Sequence, residues 1–369
     1  MEESSNSDIL SRFRITRIIW PVLIGIVATV GYIFYKDVIA GDGEIRKAIS
    51  AVQWTGNSFL WVFAGFLMMF IRDIGYIWRM WILTDKKLSL RAAFEVTLLW
   101  EFFSAMSPSV VGGSAFAIYM LIKEKISAGR STAIIFIAIF LDEVFYLLVL
   151  PPILFLLGPN QIFDPIRDLG AASGNSLVFG FWIAYTVIFL YTSFLAFALF
   201  IRPEGTHKVI RRLSMARIFK RWQRNILRLA EELLVSSYEF RSKRWTYWLW
   251  AWVATLMAWL GRYLVLNCVI AAFAIKGLGL MDHILAFARQ AVMFVFMLVS
   301  PTPGSSGVAE LMFINMLEDL TPPDLGIALA ALWRLITYYP YLFIGFILLP
   351  RWTRRVFKEK KPVVEPEKV

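Results

Sequence analysis

The sequence predicts an all-α polytopic membrane protein, with about six transmembrane helices plus two re-entrant helical hairpins in an inverted repeat. Three observations carry this. Hydrophobic residues make up 59% of the 369, with 31 Phe and 15 Trp, and the mean hydropathy is +0.63, well beyond an ordinary soluble composition. Six apolar runs are long enough to cross a bilayer. Two more apolar segments are interrupted by short Pro- and Gly-containing stretches, one in each half of the chain.

The polar tail 1–17 holds Glu2, Glu3 and Asp8 and does not read as a cleaved signal peptide. The apolar run 18–35 has no clear small-residue cleavage site, so it is the first span. Further full spans are expected at 58–83, 131–157, 176–201, 247–274 and 325–349. Together these make a membrane domain over 18–349, followed by a basic cytoplasmic tail, 350–369.

The broken segments are 92–122 and 284–318. The first contains Ser107-Pro108-Ser109-Val110-Val111-Gly112-Gly113. The second contains Ser300-Pro301-Thr302-Pro303-Gly304-Ser305-Ser306-Gly307. Proline removes a backbone donor and glycine is a weak helix former. In lipid, unwound chain persists only where it is buried in protein or lines a wet cavity. Matched breaks in two halves point to a transporter-type binding site.

Charge assigns sides. Of the 38 Lys and Arg, 28 fall in the tail 1–17, the links after the second span and after the first broken segment, the stretch 202–246 and the tail 350–369. The remaining connections are poor in basic residues, so the positive-inside rule puts both termini in the cytoplasm. Segment 92–122 then has basic residues at both ends and is too short for two crossings. It is expected to dip in from the cytoplasm, and 284–318 from the outside. Two ordinary kinked spans are the alternative. With hairpins, the unit 247–349 is the unit 58–157 turned upside down, an arrangement that places a substrate site near the midplane.

Ionisable residues within apolar segments suggest function by default. They are Arg72, Asp73, Arg79, Glu95, Glu101, Asp142, Glu143, Arg262, Arg289, Glu310 and Arg334. Arg79, Glu95 and Arg289 lie nearer segment ends, where an interface position explains them. For the others, structural pairing and substrate contact are both open. A buried arginine fork suits a phosphate headgroup, and helix N-termini near the midplane add backbone donors for an anion. Acidic side chains suit an amine or a proton.

The stretch 202–246 is the only long soluble connection. Arg217, Arg221, Arg224 and Arg228 recur at helical spacing, as do Ile218, Trp222, Ile226, Leu229 and Leu233. This predicts an amphipathic helix gathering anionic lipid headgroups at the inner leaflet. Positive-inside bias already accounts for the charge, so no nucleic-acid partner is expected. Cys268 is the single cysteine, and His207 and His283 are the only histidines. No metal site and no cofactor is expected. No nucleotide-binding, nucleophile-elbow or zinc-protease motif occurs.

The run Ser300-Pro-Thr-Pro-Gly-Ser-Ser-Gly-Val-Ala-Glu310 resembles the PtPGxxGvxE signature of the lysylphosphatidylglycerol synthase transmembrane region, a flippase-like domain family. The run 107–113, then Lys123-Glu124-Lys125, Ser131-Thr132-Ala133 and Leu141-Asp142-Glu143, is similar to the first signature of a bacterial branch of that family. The resemblance implies an inner-membrane, multi-pass protein that handles lipids. It does not carry over the lysyl transferase activity of the best-known members, for which 369 residues leave no room. Ser114, Ala115 and Phe116 stand where lysyl-lipid members show an acidic residue and an arginine.

The expected function is a lipid translocase, with membrane lipids, anionic or lipid-linked, as partners. Its site residues are Ser107, Pro108, Gly112, Gly113, Asp142, Glu143, Arg262, Pro301, Pro303, Gly304, Gly307, Glu310 and Arg334. The alternatives are a membrane-embedded lipid or glycosyl transferase, using Asp142, Glu143 or Glu310, and a non-transporting scaffold for a soluble lipid-modifying enzyme.

Overall fold

The computed structural model describes residues 54–107, 110–167, 171–274, 277–298, 300–322 and 325–358. The predicted span 18–35, the N-terminal tail, Pro108, Ser109 and residues 359–369 lie outside the described residues. Those described form helices and connections with no strand. Among the described residues six helices are long and apolar enough to cross a membrane, so the chain is an all-α polytopic membrane protein.

Helix α1 (Gly56–Leu83) opens on a capping box between Thr55 and Ser58, which satisfies donors the first turn leaves free. It presents Phe59, Phe63, Phe66 and Phe70 outward and buries Met69, Arg72, Tyr76 and Arg79 on the other side. An exposed aromatic stripe of this size suits lipid rather than water. α2 (Leu90–Met106) starts at the cap Ser89 and α3 (Val110–Lys123) follows the first break. α4 (Ala128–Leu157) starts at the cap Ser127, and α5 (Pro159–Arg167) and α6 (Ala171–Ala196) follow, the latter ending in a π-turn at Phe197–Ile201.

The basic connection is not one helix. It forms α7 (Pro203–Ser214), a 3₁₀ turn (Arg217–Trp222) and α8 (Gln223–Arg241). The backbone at Trp222 leaves the helical region, which interrupts the predicted period of 217–233. α8 buries Ala230, Leu233, Ser237 and Phe240 and packs on α4 and α7.

The second half holds α9 (Trp245–Phe273), α10 (Leu280–Leu298), a 3₁₀ turn (Pro303–Ser305), α11 (Val308–Met316), α12 (Gly326–Thr337) and α13 (Tyr339–Lys358). The predicted span 325–349 is broken at Tyr338. Pro340 explains this, since it has no N–H to continue the ladder and its ring opposes the carbonyl four residues earlier.

Both broken segments double back. Phe103 and Phe116 stack with centroids 3.9 Å apart, and Gly113 lies directly against Ser104, so α2 and α3 run antiparallel. At the open end, the single guanidinium of Arg355 reaches Glu95 of α2 (2.7 Å) and Glu124 just after α3 (3.1 Å). In the second segment Ser305 Oγ donates to the Met297 carbonyl (2.6 Å) and Arg289 donates to the Met316 carbonyl (3.0 Å). The two ends of each segment therefore lie together. One difference from the sequence reading is length: α10 alone is long enough to cross a membrane.

At the core is the antiparallel pair α1 and α9, by far the most extensive contact among the described helices. A β-carbon on Gly75 would sit 2.8 Å from backbone atoms of Ala254 and Ala258. α9 supplies the small-residue seam Ala251, Ala254, Ala258 and Gly261, all buried. In lipid, where apolar surface alone gives little reason for helices to associate, such close backbone approach is a main source of attraction. Around this pair the contacts come in matched sets: α1 on α2 and α9 on α10; α2 on α3 and α10 on α11; α3 on α4 and α11 on α12; α1 on α12 and α9 on α4; α2 on α13 and α10 on α4.

Candidate functional site

Two adjoining cavities of about 170 Å³ each lie against α9. They share Glu101 and Ser104 of α2, Arg262 of α9, and Phe294 and Leu298 of α10. The first runs to Arg79, Asp142, Glu143 and Trp259. The second runs to Gly304 and Ser305 of the second break and to Arg334, Tyr338 and Tyr341.

The spacing of Arg72, Tyr76 and Arg79 places all three on the inner face of α1. Arg72, 1% exposed, pairs with Glu101 at 2.5 Å and with Asp73 at 2.9 Å. It also donates to the Tyr341 hydroxyl, which in turn donates to Asp73. Arg79 grips both oxygens of Asp142 (2.5 and 3.0 Å), and Trp259 Nε1 donates to the same carboxylate at 2.6 Å. A bidentate pair of this kind is the strong form of a buried ion pair. Arg262 is held more loosely. Among the described residues its one ion-pair contact is to Glu101 at 3.5 Å and its Nε has no partner, while its guanidinium lies over the Trp259 ring at 5.3 Å. Glu143 faces the first cavity with no hydrogen-bond or ion-pair partner among the described residues.

The second break is built around Arg334, which is 4% exposed. It pairs with Glu310 at 3.0 Å, donates to the Gly304 carbonyl at 2.7 Å, and lies over the Tyr338 ring at 3.9 Å. Gly304 and Gly307 both adopt positive φ (57° and 88°), a conformation glycine takes at no steric cost. Glu310 also accepts from the Gly307 N–H at 2.6 Å, so the N-terminus of α11 is capped by its own side chain. Pro303 opens the 3₁₀ turn, and Pro301 lies in the irregular chain before it.

Of the residues singled out from sequence, Asp142, Glu143, Arg262, Gly304 and Arg334 line the cavities. Glu310 stands behind Arg334, and Ser107 caps α2. Gly112 lies in α3 and Pro108 outside the described residues. Gly113 approaches Ser104 of the facing helix rather than open space. Arg221, Arg224 and Arg228 are exposed on the basic connection, away from the cavities, and Arg217 lies in its 3₁₀ turn.

Three charges assigned to interface positions are instead buried. Arg79, Glu95 and Arg289 are each 3% exposed. Arg79 belongs to the site, Glu95 closes the first hairpin through Arg355, and Arg289 closes the second by donating to Met316, Gln161 and Asp319. Distance from a segment end gave no sign of this burial, because α2 and α10 pack against other helices. Sequence reasoning also passed over Tyr76, Trp259 and Tyr341. The 4 and 3 spacing of Arg72, Tyr76 and Arg79, opposite a Phe stripe, could have found the first. Nothing in the local sequence marks Tyr341.

A sequence model of the lysylphosphatidylglycerol synthase TM region matches residues 18–345. A UPF0104 membrane protein of Archaeoglobus fulgidus is 25% identical over 302 residues, covering 76% of this chain and 84% of the relative. No solved structure matches. The family match spans both broken segments and every residue lining the two cavities, and the chain belongs to the lysylphosphatidylglycerol synthase TM region family of multi-pass membrane proteins.

Proposed function

We propose that this protein is a lipid translocase, moving a phospholipid or lipid-linked headgroup across the membrane through the paired cavities. One observation carries the reading. The end of α2 at the first break and the turn of the second break line the same cavity, together with Arg262. Irregular backbone at membrane depth is tolerated where it is buried or lines a wet cavity, and here the end of α2 and the turn of the second break share a charged wall.

The two hairpins are re-entrant, the first from the cytoplasm and the second from the outside. The bridging of each hairpin's ends by Arg355 and Arg289 supports this, because a segment whose ends touch returns to the face it left. The two units form an inverted repeat about the α1–α9 pair, as the matched helix contacts support. Rocking of one unit against the other would expose the cavities to each leaflet in turn. Both termini are cytoplasmic, the membrane is the inner one, and exposed Arg221, Arg224 and Arg228 gather anionic lipid at the inner leaflet.

Reconstitution into vesicles with acyl-labelled fluorescent lipids tests the proposal. Protein-dependent transfer between leaflets is expected, with at least tenfold slower transfer for Arg262→Ala and Glu310→Ala. No transfer, or transfer that both variants leave unchanged, overturns it.

A further inference from the structure

The two cavities differ in what their walls lack. Buried polar groups are nearly always hydrogen-bonded, and each exception asks for an explanation. In the second cavity the unpartnered side-chain atoms are Tyr263 Oη, Trp333 Nε1, Gln290 Oε1 and Arg262 Nε. Tyr263, Trp333 and Gln290 are nine-tenths or more buried. An indole and a guanidinium only donate, a phenol can donate, and an amide presents either end by turning about its last torsion. This wall has donors in surplus and asks for a ligand made of acceptors.

The first cavity has the opposite surplus. Its unpartnered groups are the Glu143 carboxylate, the Thr97 hydroxyl and the shared Arg262 Nε. An ionised carboxylate only accepts. The neighbouring Asp142 occupies Arg79 and Trp259, so neither pairs with Glu143. The formal charges on this wall, Arg79 and Arg262 against Glu101, Asp142 and Glu143, leave one negative charge over. Trp100 and Phe294 add aromatic surface to the same wall, and ring faces attract organic cations.

A donor-rich cavity joined to an acidic, aromatic one through a loosely held arginine is a dipolar receptor. We propose that the paired cavities bind a zwitterionic phosphoester headgroup, its phosphate against Arg262, Tyr263 and Trp333 and its ammonium against Glu143 and the aromatic wall. A purely anionic headgroup leaves Glu143 without a partner, and a simple cation leaves three donors empty. Each cavity has room for several waters, enough for a phosphate on one side and a short alkylammonium on the other. The inference deepens the translocase reading and rests on it for its source of ligand, a lipid. The receptor chemistry itself is shared by a free phosphoamine such as O-phosphoethanolamine.

Titration calorimetry on the purified full chain in detergent separates these. The probes are dihexanoyl phosphatidylethanolamine, dihexanoyl phosphatidylglycerol and O-phosphoethanolamine. The zwitterionic lipid is expected to bind at least tenfold tighter than the anionic one. Glu143→Gln brings that ratio close to one, and Tyr263→Phe weakens both lipids together, with thermal melts confirming that both variants fold. Equal or tighter binding of phosphatidylglycerol, no binding of either lipid, or an unchanged ratio in Glu143→Gln overturns the proposal. O-phosphoethanolamine binding as tightly as the short lipid keeps the zwitterion receptor and identifies its ligand as the free headgroup. In the vesicle assay, transfer without preference for phosphatidylethanolamine sinks this inference and keeps the translocase. Selective binding without transfer does the reverse.

Discussion

Gly75 and Gly261 occupy equivalent places in the crossing of α1 and α9. Each lies against a carbonyl and, four residues further on, an amide of the opposite helix. A β-carbon on Gly75 would meet Ala254 O and Ala258 N at 2.8 Å; one on Gly261 would meet Met68 O at 2.7 Å and Arg72 N at 2.9 Å. The step from Met68 to Gly75 equals the step from Ala254 to Gly261, so a local two-fold axis relates the two contacts. An inverted repeat requires this of its central helices. Valine at either glycine forces backbones apart and is expected to destabilise the fold by about 1–3 kcal/mol, to similar extents at the two positions. Thermal unfolding in detergent reads this directly. A large loss at one site beside none at the other would contradict the equivalence.

The paired carboxylates of α4 are expected to behave differently. Asp142→Ala strands Arg79, which is 3% exposed, and removing one partner of a buried pair costs about 3–5 kcal/mol. Glu143→Ala strands nothing and is expected to leave stability within about 0.5 kcal/mol. Replacing both members, as Arg79→Met with Asp142→Leu, recovers most of the loss, since a well-packed apolar pair often equals a buried ionic one. Equal melting temperatures for Asp142→Ala and Glu143→Ala would show that the Arg79 pair is not a structural element.

Much of this arrangement was legible in the sequence, and the limits have physical causes. The long spans followed from apolar runs, because in lipid the backbone has few alternatives to a helix. The second break was marked by Pro and Gly, whose effect is local, whereas Gly112 and Gly113 of the first stretch fall inside α3. Asp142, Glu143, Arg262 and Arg334 stood out because charge is rare in such segments. The pairing of Arg79 with Asp142, the closure of α2 on α3 by Arg355, and Tyr341 bridging Arg72 to Asp73 were not legible. Each joins residues far apart in the chain, and only the packing of α1, α4 and α13 brings them together. The break at Tyr338 was readable from Pro340 and passed unnoticed inside a run of apolar residues.

The two glycines of the second break should differ in tolerance. Gly304 combines φ of 57° with close contact to the Tyr338 ring, whereas Gly307 has φ of 88° and open space where a β-carbon would go. Alanine at Gly307 carries only the backbone penalty, about 1–2 kcal/mol. Alanine at Gly304 adds displacement of Tyr338, and with it the ring beneath Arg334. The expected order of both melting temperature and lipid transfer is wild type, then Gly307→Ala, then Gly304→Ala. A reversed order would mean that the contact with Tyr338 gives way freely.

Topology can be read by cysteine labelling, since Cys268 is the single cysteine and is buried. In a Cys268→Ser background, cysteines at Lys87, Lys125, Arg224 and Asn160 report four connections. An impermeant maleimide added to intact cells is expected to label Asn160→Cys alone, with the other three labelled after permeabilisation. The pair Lys87 and Lys125 decides between hairpin and kinked span, because these residues flank α2 and α3. A hairpin keeps both on one face, as the grip of Arg355 on Glu95 and Glu124 requires. A single crossing puts them on opposite faces. Labelling of Lys125→Cys but not Lys87→Cys in intact cells would remove the proposed re-entrant hairpin, and with it the proposed inverted repeat and alternating access.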